Sequence, residues 1–597
     1  MLRTDTKEPL MAAKRFVLVA QYSSIEPLGI LHLSGLVRDA GWDCKVVLIK
    51  GDDYAELYDT VQNWRPDIVG FQIWTGNHLA AFRACNTVRG LGVPLVIGGP
   101  HATYFFEECA KHADWVVQAS GFGFLQDILG GVLPHGVHFS REGRSEPFPL
   151  PDRDLLYETY PGYGESPIKS MFASVGCPYK CTYCYAPVFN RMHNGFLLTN
   201  RPVDDLVQEA KAILRRWPLS LVYFQDDVFG FNPKWLGEFA QKWKTEVGVP
   251  FHAQMRLEMT QHAGGDKRLD LFREAGCSGI TLAIESGNAF LRDHVLFRHM
   301  PDELILEGCR KIMDRGMTLR TEQILGVPFS NLETELQTLD LNARINPTLA
   351  WTSILSPYGG TAMGTISSNY GLYRGNNDDL LDNFFEASVL RHIDGGPRDI
   401  ERMVAMVGAT PKDETLLAFR TEQRSATEVS VFDAEGTLLG SVTHLTPKDN
   451  ERYCRDLVRL QRLFNFLPKF PDAALLGRTL ALMPQQEWTW EGIGRQIEQH
   501  LVSANVENLS SWKDAIAAEM GYGSVLELPG PIASNPWLFC VVPAGGHLAR
   551  RALEVGVFDP LLSTEETLDR LGTLGRRHLF EYGLYQIQVG SSPICSR

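Results

Sequence analysis

The chain has 597 residues, 44% of them hydrophobic, which is enough for three or four domains with buried cores. Its net charge of -14 excludes a general binder of phosphate backbones, which needs surplus Lys and Arg to displace counterions, so nucleic acid is not an expected partner. Eleven Cys, a charged opening segment (residues 1–14) without an apolar core, and no apolar run of bilayer-spanning length predict a cytoplasmic protein with no membrane partner; the mixed run 525–544 is broken by Pro529, Pro531, Asn535 and Pro536.

Five short β-rich runs, at 16–20, 44–49, 68–73, 95–98 and 115–117, alternate with helical patterns. Such alternation predicts a doubly wound parallel sheet, whose ligands bind beyond the carboxyl ends of the strands. The loops at those ends read Gln21-Tyr22-Ser23-Ser24 before Pro27-Leu28-Gly29, Trp74-Thr75-Gly76, Gly98-Gly99-Pro100-His101-Ala102-Thr103 and Ser120-Gly121-Phe122-Gly123. Clustered Gly lets backbone approach a large flat ligand. No Gly-x-Gly-x-x-Gly follows the first run, which disfavours a nucleotide-type unit. Solitary His32, His78 and His101 are expected to be hydrogen-bonded scaffolding rather than metal ligands.

Residues 147–153 are Pro-rich and charged and read as a linker. The stretch from Ser174 to Tyr185 then holds Cys177, Cys181 and Cys184 in one loop. Three thiolates leave a corner of a zinc site or an iron–sulfur cube open, and an open corner is where a substrate or cosubstrate binds. The spacing alone also admits a structural zinc site with a remote fourth ligand. A strand-like run leads in at 169–173, and others follow at 221–225, 251–254, 279–284, 319–325 and 350–355. Six βα-type units suit an open partial barrel, with its site at the strand ends.

Those ends carry Gln225-Asp226-Asp227, Arg256, Ala283-Ile284-Glu285-Ser286-Gly287 and Ile324-Leu325-Gly326-Val327-Pro328. The Asp pair reads either as a ligand contact or as the cap of the next helix, and Arg256 either as a fork for a carboxylate or as a salt-bridge partner. Cys44, Cys85, Cys109, Cys277, Cys309, Cys454, Cys540 and Cys595 show no second ligand spacing and are expected to be apolar fillers, with no auxiliary cluster. Beyond residue 362 the sequence predicts a hairpin, 429–432 with 437–442, and helices near 452–467, 490–503, 511–519 and 564–582. Trp537, Phe539, Tyr582 and Tyr585 are its candidate pocket aromatics, with core packing the commoner role of such residues.

Cys-x3-Cys-x2-Cys with Tyr183 before the last Cys resembles the signature of radical S-adenosylmethionine (SAM) enzymes, and the Pro-Leu-Gly helix start with the Gly-Gly-Pro-His loop resembles the cobalamin-binding domain upstream of many of them. The chain is thereby similar to cobalamin-dependent radical SAM methyltransferases, the natural-product C-methylases such as carbapenem-type or tryptophan C2-methylases. The resemblance implies an α/β architecture: a Rossmann-like cobalamin-binding domain at 1–146, a linker at 147–168, a partial (β/α)6 barrel at 169–361 and a mostly helical α+β substrate or capping domain at 362–597.

It also implies a 4Fe-4S cluster on Cys177, Cys181 and Cys184, and SAM contacts from Tyr183, Asp226, Arg256, Glu285, Ser286 and Leu325. Contacts to cobalamin, as methylcobalamin, are implied for Gln21, Ser23, Leu28, Gly29, Trp74, Thr75, Gly98, Gly99, His101, Gly121 and Gly123. Asp-x-His-x-x-Gly is missing, so Trp74 rather than a His is placed below the corrin, and His101 at its edge. This chain departs from the family pattern in having Gly121-Phe122-Gly123-Phe124 for Gly-Glu-Gly-Glu, Ala283 for Gly, and Gly359 for the second Pro of Pro-x-Pro-Gly-Thr.

The implied activity is methylation of an unactivated carbon of a small molecule. A 5'-deoxyadenosyl radical removes hydrogen, the substrate radical collects the methyl of methylcobalamin, and a donor such as flavodoxin or ferredoxin supplies electrons. Polar methylation of tryptophan C2 and a non-methylating rearrangement are the alternatives. A corrinoid carrier without catalysis leaves the three cysteines unexplained.

Overall fold

The computed structural model describes residues 14–23, 25–139, 148–196, 198–411 and 413–504, and beyond them 514, 517–518, 521–529, 556–557, 559, 561–570 and 572–574. The chain divides into two compact units. One runs up to residue 173 and includes 192–195 and 199–220; the other comprises 174–191, 196–198 and everything from 221 onward.

In the first unit β1 (Arg15–Gln21), β2 (Asp43–Ile49), β3 (Ile68–Gln72), β4 (Leu95–Gly98), β5 (Trp115–Val117) and β6 (Gly136–His138) form one parallel sheet in the order β2-β1-β3-β4-β5-β6. Alternate residues serve opposite faces. Val17, Val19, Val47, Ile49, Val69 and Phe71 enter one core, and Phe16, Leu18, Ala20, Val46, Leu48 and Ile68 enter the other. Burial on both faces is why these strands read as continuous apolar runs. The order reverses at β1 and β3, the switch point where ligands of such sheets bind. β6 escaped the sequence reading because it is three residues long and mostly exposed, and it starts at Gly136 with φ 140.

The expected linker is built into this unit. Its helix Arg153–Thr159 is capped by the Asp152 carboxylate, and Arg153 is only 6% exposed. The Arg153 guanidinium donates to Glu26 at 3.0 Å, to Glu209 at 2.6 Å and to the Tyr157 hydroxyl at 2.8 Å, while Arg201 pairs with Glu209 at 2.8 Å. Four buried charges balance one another, as burial away from water requires.

All six expected barrel strands form: β7 (Ile168–Met171), Leu221–Phe224, Phe251–Met255, Cys277–Glu285, Thr318–Leu325 and Leu349–Ile354. Within the second unit the last five are parallel neighbours in chain order. The architecture is α/β, with a Rossmann-like domain, a partial (β/α)6 barrel and a largely helical C-terminal part.

That C-terminal part shares a core with the barrel. Leu457, Leu460, Leu476 and Ile493, from helices Pro447–Leu463, Ala473–Ala481 and Trp490–Ser503, join Leu325, Leu339, Ala350 and Ile354. The hairpin appears as Glu428–Phe432 against Leu438–Thr443, with a third strand, Arg420–Gln423, that the sequence did not predict. Cys44, Cys85, Cys109, Cys277, Cys309 and Cys454 are unpaired thiols. Ser24, Trp537, Phe539, Tyr582, Tyr585, Cys540 and Cys595, most of the helix expected at 511–519 and the end of the one expected at 564–582 lie outside the described residues.

Candidate active site

Two strands of the barrel alternate in burial, and the alternation identifies the face that carries the site. Thr321 and Gln323 bond to Asn342 of the covering helix Leu332–Ile345. Leu325 and Ile354 pack in the core of Leu457. On the opposite face Arg320, Glu322, Ile324, Trp351 and Ser353 are half-buried, and Ile324 packs in the cluster that takes in Tyr183 and Tyr358. The Leu325 side chain therefore points away from this face, and the apolar side chain presented there is its neighbour Ile324.

The cysteine loop is held by its own polar atoms. Thr182 donates to the Val295 carbonyl at 2.6 Å, and Asn190 to the Cys177 carbonyl at 2.9 Å. Ser174 donates to Asp226 at 2.5 Å. Asp226 is 1% exposed and faces the loop, and the next helix is capped instead by Asn232, which settles the capping alternative for the Asp pair.

Arg256 donates to the Cys181 sulfur at 3.1 Å, stacks over Tyr179 at 4.1 Å, and is forked by Glu258. A second guanidinium, Arg298, reaches the same sulfur at 3.7 Å, the Tyr183 hydroxyl at 3.4 Å and the Ala283 carbonyl. Tyr183 donates to Glu285 at 2.5 Å. Glu285 sits at φ 72, a left-handed conformation that costs a non-Gly residue and recurs where a site is over-determined. Ser286 and Gly287 belong to the turn that follows: Gly287 donates to Thr338 at 2.9 Å, and a Cβ on it would meet the Gln337 carbonyl at 2.3 Å.

Burial pushes the Cys177 thiol up to about 11, and it raises Cys184 as well. A cation held on these sulfurs would favour their thiolate form. Burial likewise raises the Glu285 carboxyl, against the pull of Arg298 and the bond from Tyr183. Among the described residues His78, His101 and Glu108 bring metal-type ligand atoms within 4.8 Å of one another. Two guanidinium groups aimed at the Cys181 sulfur suit a thiolate held as a metal ligand.

Arg298, Glu258 and Ser174 were not found from sequence. The available signal for Arg298 was a cation inside the apolar run Val295-Leu296-Phe297-Arg298-His299-Met300.

In the first unit the expected corrinoid contacts gather at the carboxyl ends of the strands. Gln21, Ser23, Leu28, Gly29, Trp74, Gly98, Gly99, Gly121 and Gly123 are all half-buried. Gly99 has φ 99, and a Cβ there would lie 2.8 Å from the Ile73 carbonyl, so no other residue lets this loop run so close to β3. Gln21 Oε1 and Gln72 Oε1 are buried without a partner among the described residues, so these acceptors are able to take a donor from a ligand.

Trp74 is half-buried, which separates it from an ordinary core Trp. Thr75 and His101 lie behind the loop. His101 is fully buried, meets Thr75 Oγ1 at 2.9 Å and Glu108 at 3.3 Å, and stacks on His78 at 4.4 Å. Its ring braces the loop and does not reach the surface where an edge contact was expected.

Two family models match the chain: the B12 binding domain over residues 14–129 and the Radical SAM superfamily over residues 171–341. The anaerobic magnesium-protoporphyrin IX monomethyl ester cyclase of Rubrivivax gelatinosus is 22% identical over 56% of this chain and 64% of its own length. The hopanoid C-3 methylase of Methylococcus capsulatus is 27% identical over 33% and 42%. The chain thus spans less than two thirds of either relative. Among solved structures, the radical SAM methyltransferase TsrM from Kitasatospora setae, with tryptophan substrate and a SAM analog bound, has a TM-score of 0.50 at 16% identity, covering 73% of this chain and 86% of that one. OxsB, a cobalamin-dependent SAM radical enzyme, also has a TM-score of 0.50, at 14% identity over 97% and 80%. The chain thus carries a B12 binding domain ahead of a radical SAM domain, and the cofactors of these two domains are cobalamin, a 4Fe-4S cluster and SAM.

Proposed function

We propose that the protein is a methyltransferase that uses SAM and cobalamin to methylate an unactivated carbon of a small molecule in natural-product biosynthesis. One observation carries this reading: a three-cysteine loop met by two buried guanidiniums beside the Tyr183–Glu285 pair, in a chain that also has a B12 binding domain. Bound, the cluster with SAM supplies a hydrogen-abstracting radical, and cobalamin supplies a transferable methyl group.

In this reading Cys177, Cys181 and Cys184 hold the iron. Arg256 and Arg298 offset negative charge at Cys181 and take the SAM carboxylate. Glu285, aimed by Tyr183, accepts from the amino group or ribose of SAM, with Asp226 and Ser286 at its margin, and Leu325 contributes backbone only. Gln21, Trp74 and the strand-end glycines hold the corrinoid. The cluster must be reduced, so the protein works in the cytoplasm with a donor such as flavodoxin or ferredoxin.

The test is reconstituted protein with reductant, SAM and a panel of candidate substrates. Matched 5'-deoxyadenosine and S-adenosylhomocysteine support radical methylation; S-adenosylhomocysteine alone indicates polar methylation, as of an indole carbon. A second reading, a non-methylating rearrangement or ring closure, is favoured by the likeness to a cyclase and predicts 5'-deoxyadenosine alone. Neither product with any substrate overturns the proposal.

A further inference from the structure

The turn that ends the Thr318–Leu325 strand is under strain and is gripped from behind. Gly326 has φ 71, and Phe329, a bulky residue, has φ 67, so two left-handed residues sit in one short turn. Val327 and Phe329 pack in the cluster that takes in Tyr183 of the cysteine loop. On the far side of the turn, the Glu335 carboxyl accepts the Gly326 N–H at 2.9 Å and the Tyr453 hydroxyl at 3.3 Å. Ser330 Oγ lies 3.2 Å from the same hydroxyl. Glu335 is 2% exposed and Ser330 1%. Tyr453 comes from helix Pro447–Leu463, on which the turn rests so closely that a Cβ on Gly326 would meet Leu457 at 2.7 Å.

We propose that Glu335 and Tyr453 are positioning residues that clamp the Gly326–Ser330 turn onto the C-terminal helix, and that the clamp holds the SAM site tightest while Glu335 is uncharged. This rests on the proposed function, because SAM is the ligand whose hold it sets. No Lys or Arg is among the described partners of Glu335. The other titratable groups facing the clamp are Cys454 beside Tyr453 and His392, whose ring meets Tyr453 edge-on at 4.7 Å; on Glu335's own helix, Glu333 is turned outward to Arg478.

Burial pushes the Glu335 carboxyl up to about 7, against the bonds from Gly326, Ser330 and Tyr453, whereas burial pulls His392 down to about 3 and keeps it neutral. Among the described residues a carboxylate formed there has no cation to meet, and it draws toward water, which loosens a turn that is already strained.

The experiment is equilibrium dialysis of labelled SAM against the full-length, cluster-loaded protein from about pH 6 to about pH 8.5. Affinity is expected to fall about tenfold across that range relative to Glu335→Gln, whose profile lacks this component. Tyr453→Phe removes a donor to the charged form and is expected to move the midpoint upward. A role in folding alone would lower stability without changing either profile. Glu335→Gln following the parent's profile, or Tyr453→Phe leaving the midpoint in place, overturns the clamp. SAM binding that is absent at every pH overturns the proposed function itself, and the clamp with it.

Discussion

The strand-end loops of the first unit and the cysteine loop of the second solve different recognition problems. The cysteine loop is charged and internally paired: Arg256 and Arg298 on Cys181, Tyr183 on Glu285 and Ser174 on Asp226. The strand-end loops offer backbone, Gly and two amide oxygens without partners among the described residues, with the neutral His101 ring behind them. A small charged cofactor is recognised by preorganised charge, whereas a broad ligand is recognised by shape. The contrast predicts that side-chain truncation harms the second site most, and that adding atoms harms the first.

The largest expected effect is from Cys181→Ala. It should abolish stoichiometric iron and all product formation while leaving corrinoid binding intact, as read by iron and cobalt quantitation and a visible spectrum. Arg298→Met should come next: losing charge-assisted bonds worth about 1.5–3 kcal/mol should weaken SAM binding about 10–100-fold, measured by dialysis on the iron-loaded protein. Gly99→Ala forces a Cβ against Ile73 in a left-handed conformation and should cost about 1–3 kcal/mol of stability, with weakened cobalamin retention and unchanged iron.

A further prediction concerns acid. Burial and His78 lower His101 to about 3, below its ordinary value of 6.5, so the unfolded chain takes up a proton first. Stability is then lost as pH falls from about 6.5 toward the folded value, by about 1.4 kcal/mol per pH unit. Thermal melts of His101→Asn against the parent should show that share of the acid slope removed.

Strands and strand-end loops were legible because their signals are local: Val46 to Ile49 and Ile280 to Leu282 are buried runs that no helix period fits, and Gly98-Gly99 announces a backbone approach. Cys177, Cys181 and Cys184 were legible because a loop keeps them together regardless of the fold. Arg298 and Glu335 were not, since each acts across a long sequence separation fixed only by strand register and helix packing. The direction of Leu325 was missed for the same reason: a one-residue shift in phase turns a side chain to the other face.

The buried set of Arg153, Glu26, Glu209 and Arg201 constrains how this protein can be recombined. Grafting a foreign corrinoid module at the Pro-rich stretch near residue 150 would separate these partners and strand a carboxylate in apolar surroundings. A workable exchange has to carry residues 14–173 together with the 199–220 segment as one piece.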